Sequence, residues 1–353
     1  MPVAPIDAQA ALANSEAIFA EGMVKPLLIS VALPPTRHIV DYARAIQDAG
    51  AHRLWLYDSP AVYGDIWIAL ARAAEATTLQ LGTAVAVPSL RHPMVTAAAI
   101  ASIEEIAPGR LTVAMGTGYT ARRAMGHKPI TWANLATIFT QIRQLLAGSV
   151  VQIDGRPVQM LHGGQCGPPR PISTPLWVAP SGPLGCRVAR ELGADGVVLV
   201  GIPEPQHRQW PAAALMVNGT VLEPGEDHDS TRVIESAGPW FAAMYHGAWD
   251  MNPDLLDHLP GGPQWRDTMI GLAPDESRHL AIHRGHLTEL GPADLAGITA
   301  AGPALLQAGW TGPTSSIKGR IEEARQGGIT ELIYAPTGPD ITREVFAFLD
   351  AAR

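Results

Sequence analysis

Residues 79–126, LQLGTAVAVPSLRHPMVTAAAIASIEEIAPGRLTVAMGTGYTARRAMG, constrain the fold more than any other stretch of the 353-residue chain. Leu79 to Val87 is short, apolar and β-branched and is closed by Pro88, the pattern of a strand buried on both faces of a parallel sheet. Pro93 to Ile106 reads as a helix with proline in its first turn, where a missing N–H costs nothing. Pro108 and Gly109 stop that helix, and Leu111 to Met115 forms a second buried strand that runs into Gly116-Thr117-Gly118-Tyr119. Two such β-α units in succession dictate right-handed parallel crossovers. Glycines past a strand's C-terminal end let backbone N–H groups close on an anion, although Gly-x-Gly without a third glycine is equally an ordinary tight turn.

The same unit recurs along the chain. Leu27 to Leu33 and Arg53 to Tyr57 read as strands, each followed by a periodic helix, and Asp65 stands where it would cap the helix through Ala76. Trp132 to Leu146 is helical. VVQIDGRPVQML (150–161) carries an Asp-Gly turn between two apolar runs, a hairpin signal that interrupts the alternation within an excursion over 150–175. Leu176 to Ala179 and Gly196 to Val200 are further strands, Arg232 to His246 reads as the seventh with a long extension, and Thr330 to Ala335 is the eighth. Asp340 would cap a terminal helix through Ala352. Repetition of one supersecondary unit favours a closed (β/α)8 TIM barrel, of the α/β class, over an open sheet. One such domain would span 1–353, with an N-terminal arm over 1–25 and insertions at the C-terminal face, including a lid over 247–314.

Charge narrows the partners. The 33 acidic and 25 basic residues leave a net charge of −8 with no long basic run, which argues against nucleic acid and anionic membranes. No apolar run reaches spanning length, the first 25 residues lack a basic n-region, and the two cysteines make no disulfide framework. A cytoplasmic enzyme acting on a small molecule is the expectation.

The residues that carry a family likeness are GTAVAVPSLRHP (82–93), PGR (108–110), GTGYTARRAMG (116–126) and WVAPSGPLGCRVARELGADGVVLVG (177–201). Together these blocks resemble the bacterial luciferase-like superfamily, in particular its deazaflavin (F420)-dependent branch of methylenetetrahydromethanopterin reductase-like oxidoreductases. The resemblance implies coenzyme F420 as cofactor, with FMN as the alternative, and commonly a homodimer. It places the cofactor's phosphate on Gly116, Thr117, Gly118, Tyr119, Ser181, Gly182 and Gly201, and its ring against a bulge, often with a non-prolyl cis peptide, at Thr83, Ala84 and Val85. Arg122, Arg123 and Lys128 are near enough in sequence to assist a negatively charged tail. Asp58 matches an aspartate that contacts the ring system in deazaflavin-dependent relatives, but Ser59 follows where those relatives usually have histidine.

The lid carries ESRHLAIHRGHLTEL (276–290), in which His279, His283 and His286 stand at helical spacing, with Gly285 weakening the helix. No thiolate or carboxylate pair accompanies them, so no metal site is assigned. Asp58, His246 and His283 are the candidates for managing a proton beside a hydride transfer. An FMN-dependent monooxygenase is the alternative within the family, a flavin-independent hydrolase the alternative of another class, and a non-enzymatic cofactor-binding protein a third. No Gly-x-Ser-x-Gly elbow signals a serine nucleophile.

Overall fold

The computed structural model describes residues 27–202 and 205–353, so the expected N-terminal arm lies outside the described residues. Eight strands close into a barrel: β1 (Leu28–Leu33), β2 (Arg53–Leu56), β3 (Gln80–Ala86), β4 (Leu111–Met115), β7 (Leu176–Val178), β8 (Val197–Val200), β9 (Ala213–Val217) and β10 (Glu331–Tyr334). Their order is β1-β10-β9-β8-β7-β4-β3-β2, with every neighbouring pair parallel. β5 (Val151–Ile153) and β6 (Arg156–Val158) form the expected hairpin outside it, turning at Asp154 and Gly155, both with positive φ. The (β/α)8 barrel read from the sequence is the fold.

The connecting helices are α1 (Ile39–Asp48), α2 (Ile66–Ala76), α3 (Pro93–Ile106), α4 (Tyr119–Arg123), α5 (Trp132–Leu146) and α6 (Gly182–Glu191). Asp65 caps α2 by accepting from the N–H groups of Trp67 and Ile68. After β9 come α7 (Thr231–Met251), α8 (Gly262–Leu272), α9 (Arg278–Ile282) and α10 (Pro292–Ala301), and then α11 (Thr314–Gln326) and α12 (Ile341–Ala352) flank β10. Asp340 caps α12 through Arg343 N–H at 2.9 Å. Asp340→Ala is expected to lower stability by about 1 kcal/mol, read as the midpoint of urea unfolding.

One expected element is corrected. Residues 232–246 are not the seventh strand but the body of α7, and the seventh barrel strand is β9. Val233, Ala237, Phe241, Tyr245 and Ala248 fall on one helical stripe and are all buried, so packing outweighs the break that Pro239 threatens. Their partners are Leu256, Trp265, Met269, Ile282 and Ile298, which gives the insertion a hydrophobic core of its own.

Inside the barrel, bulky rings face glycines. Trp55 and Trp177 pack with centroids 5.6 Å apart, and a Cβ at Gly82 or Gly196 would stand 2.3 or 2.4 Å from their rings. Glu331, fully buried, accepts from Ser30 Oγ (2.5 Å) and Trp55 Nε1 (2.8 Å). The interior is a packed core, which leaves the mouth at the strands' C-terminal ends for ligands. No helix among the described residues is long and apolar enough to cross a membrane.

Candidate active site

β3 breaks register between Thr83 and Ala86, and the Ala84–Val85 peptide is cis, so the expected bulge is present. Ala84 and Val85 thereby border a cavity of 210 Å³ at the barrel mouth, together with Asp58, Gly118 and Tyr119. Tyr57, Tyr63, Val87 and Met216 also line the barrel side, and Trp240, His286 and Leu287 enter from the insertion.

Asp58 follows β2 and is almost fully buried. Arg91, from the loop after β3, donates Nη1 to both of its oxygens at 3.0 and 2.8 Å, and Val87 N–H donates to Oδ2 at 2.9 Å. Burial is the largest influence and pushes Asp58 above the usual carboxylate range, while the Arg91 and Val87 contacts pull it back. Arg91 also binds Asp65 at 2.9 Å, so one guanidinium ties the second strand's loop to the bulge's exit and to the cap of α2. The carboxylate is thus fixed by Arg91 and the Val87 N–H.

The Gly-x-Gly turn ends with Gly118 at φ +81°, the N-cap of α4. A Cβ there would lie 2.4 Å from Val87 Cγ1, and one at Gly116 would lie 2.7 Å from Val85 Cγ2, so both glycines let β4's loop close on the bulge. Tyr119 reaches the insertion, where its hydroxyl donates to the Gly247 carbonyl at 3.2 Å.

The other expected cofactor residues are dispersed. Gly182 and Gly201 line a second cavity, of 580 Å³, beside α6 with Arg190, His207 and Trp210. Thr83, Gly116, Thr117 and Ser181 line neither cavity. Thr83 is buried and donates to the Ala114 carbonyl at 2.8 Å, which makes it a strand-to-strand link. Arg122 is engaged with the Lys128 carbonyl at 2.7 Å, and Arg123 lies over the Tyr119 ring and 4.0 Å from Asp250.

The histidines regroup. The helix that would have aligned His279, His283 and His286 ends at Ile282, and Gly285 at φ +65° turns the chain. His279 lies against Gly126 instead. His246 of α7 joins His283 and His286, all three buried. His246 Nδ1 stands 3.0 Å from His286 Nδ1, and its Nε2 stands 3.0 Å from Asp294 Oδ1. Burial, with His246 and His283 alongside, pushes His286 well below the usual imidazole value. Of the three only His286 borders the mouth cavity; His246 and His283 do not.

Arg91, Tyr63, Trp240 and Asp294 are site residues that the sequence did not single out, because each is joined to its partners across long sequence separations. Tyr63 donates its hydroxyl to the His286 carbonyl at 2.6 Å, tying the barrel to the insertion. Tyr63→Phe strands that carbonyl, and an expected loss of about 1–3 kcal/mol would be read from chemical unfolding.

Known proteins decide the family. Residues 12–216, more than half of the chain, match the sequence family described as luciferase-like monooxygenase. The chain belongs to the luciferase-like family. Within it, the chain is 24% identical over 327 residues to a 5,10-methylenetetrahydromethanopterin reductase of Methanolobus tindarius, covering 87% of this chain and 92% of the relative. It is 35% identical over 138 residues to an F420-dependent glucose-6-phosphate dehydrogenase of Beutenbergia cavernae, covering 37% and 40%. The solved structure of a coenzyme F420-dependent tetrahydromethanopterin reductase from Methanopyrus kandleri superposes with TM-score 0.61 at 20% identity, over 92% of this chain and 97% of that one. These luciferase-like relatives are reductases and dehydrogenases by name, and they lend the hydrolase alternative no support.

Proposed function

We propose that this luciferase-like protein is an oxidoreductase that uses coenzyme F420 to exchange a hydride with a small organic substrate at the barrel mouth. The observation that carries the reading is the bulge at Ala84–Val85 facing Asp58 across one cavity, in a chain whose named relatives include F420-dependent enzymes. The mouth suits a flat, largely apolar ring: Ala84, Val85 and Val87 supply one wall and Trp240 and Leu287 another. Gly116 and Gly118, where a Cβ would collide with Val85 and Val87, allow the loop after β4 to approach. When bound, the deazaflavin supplies a two-electron hydride donor or acceptor; the protein supplies binding, orientation and polarity.

The protein's own residues do the following. The Asp58–Arg91 pair fixes Val87 N–H and with it the end of the bulge, so the ring's seat does not depend on ligand. The second cavity, at the N-terminus of α6 with Gly182 and Gly201, is the seat for the cofactor's phosphate, where free N–H groups and the helix dipole favour an anion. The insertion closes the mouth and excludes water, and its polar groups there, His286 foremost, face the substrate's heteroatom. His246 and His283 act behind His286 and not on the substrate itself.

The test is turnover. Under anaerobic conditions, reduced deazaflavin would be followed spectrophotometrically with a panel of aldehydes, ketones, imines and activated alkenes, and the oxidised form with alcohols. Turnover with at least one class is the expected result. No turnover in either direction, together with oxygen-dependent turnover of reduced FMN, would replace the reading with a monooxygenase.

A further inference from the structure

We propose that His246, His283 and His286 are the ligands of a divalent transition-metal site, zinc in class, built into the insertion above the mouth. This goes beyond the hydride-transfer reading and does not rest on it, because all three ligands and both backing carboxylates come from the insertion.

Three independent features of the cluster converge. The first is its shape. With metal–nitrogen bonds of about 2.0–2.1 Å at tetrahedral angles, three imidazole centroids stand roughly 5.2 Å apart. Here they stand 5.2 Å (His246–His286), 5.7 Å (His283–His286) and 6.0 Å (His246–His283) apart, a nearly equilateral triangle. One ligand atom from each ring lies within 4.8 Å of the others, so the three stand near enough to share one ion.

The second is what the rings lack. Protons alone satisfy a chain from Asp294 through His246 to His286, with both contacts at 3.0 Å. That leaves His283, which is 4% exposed, with no hydrogen-bond partner at Nδ1, while its Nε2 stands 3.5 Å from Asp250 Oδ2. Buried polar groups are rarely left so, and an ion at the centre of the triangle would supply the missing partner.

The third is the backing. Histidine ligands characteristically lean their second nitrogen on a carboxylate, which fixes the tautomer and raises ligand basicity. Asp294 does this for His246, and is itself held by Trp265 Nε1 at 2.8 Å and Gly291 N–H at 2.9 Å. Asp250 stands 3.5 Å from His283 Nε2, with Arg123 4.0 Å from it on the other side. Three imidazole nitrogens with two carboxylates behind them suit a borderline dication better than magnesium or calcium, which take oxygen ligands. Three protein ligands also leave a coordination position open, and His286 borders the cavity where substrate would lie.

The experiment uses tag-free protein freed of metal with a chelator and then titrated with Zn²⁺ by calorimetry and with Co²⁺ by visible absorption. One ion per chain, visible ligand-field bands from Co²⁺ and a raised melting temperature are expected. His283→Ala should abolish those bands, Asp294→Asn should weaken binding 10–100-fold, and His279→Ala should bind like the parent protein. If His283→Ala does not fold, the Co²⁺ spectrum of the parent protein and the Asp294→Asn titration decide. Folded parent protein that takes up neither ion at micromolar concentration, or binding unchanged in Asp294→Asn and His283→Ala, overturns the proposal and leaves a hydrogen-bonded histidine chain.

Discussion

Arg91→Met is expected to destabilise the protein by about 3–5 kcal/mol, the range for breaking a buried ion pair from one side. Methionine preserves much of the arginine stem's packing, so the loss isolates the charge. Asp58, its side chain 1% exposed, would keep only the Val87 N–H as partner. Its acidity, already weakened by burial, would weaken further. The sign of the pH dependence follows. A carboxyl whose folded-state value lies above its unfolded value takes up a proton on folding as pH falls between the two, so the penalty is full at high pH and shrinks on acidification. The gap in unfolding free energy between parent and Arg91→Met should therefore narrow as pH drops through the raised Asp58 value. Asp58→Asn added to Arg91→Met should recover a large part of the loss, since no buried charge remains. Urea unfolding at several pH values checks all three statements, and a gap that widens on acidification would contradict the assignment.

Gly118→Val should abolish measurable cofactor binding. The left-handed backbone at φ +81° costs an L-residue about 1–2 kcal/mol, and more when it is β-branched. A Cβ there also meets Val87 Cγ1 at 2.4 Å, next to the residue whose N–H is pinned by Asp58. Relief of that clash pushes the loop after β4 away from the bulge, and every 1.4 kcal/mol of lost binding free energy is about tenfold in affinity. Gly193→Ala serves as the control, because Gly193 has φ +56° with nothing within 4 Å of the added Cβ. It should lose stability but bind cofactor like the parent, whereas equal binding loss in both variants would mean that strain alone, not the closeness of loop and bulge, is responsible.

Those two residues mark how far the sequence could be read. The barrel was legible because its strands are short apolar runs closed by proline or glycine, as in Leu79–Val87 before Pro88 and Leu111–Met115 before Gly116. The hairpin was legible from Asp154-Gly155 and the bulge from the likeness of GTAVAVPSLRHP to a known family. β9 was missed because Ala213 and Ala214 carry no β-branching, whereas Val233, Ile234 and the aromatics of 240–245 do draw attention. The spacing of Val233, Ala237, Phe241 and Tyr245 is helical all the same, and Gly238-Pro239 obscured it. The site was legible only where local chain made it. Asp58 could be named, but its partner Arg91 lies 33 residues on and was one arginine among many. The histidine cluster was half legible: His283 and His286 are local, while His246 arrives from 40 residues away and His279 turns elsewhere.

The most direct measurement of the central claim is equilibrium binding of purified protein to oxidised coenzyme F420 and, separately, to FMN, each followed by quenching of ligand fluorescence. Tight, saturable binding of F420 at one site per chain, with FMN at least tenfold weaker and F420 binding lost in Gly118→Val, is the predicted result. Preferential binding of FMN, or of neither, would contradict it.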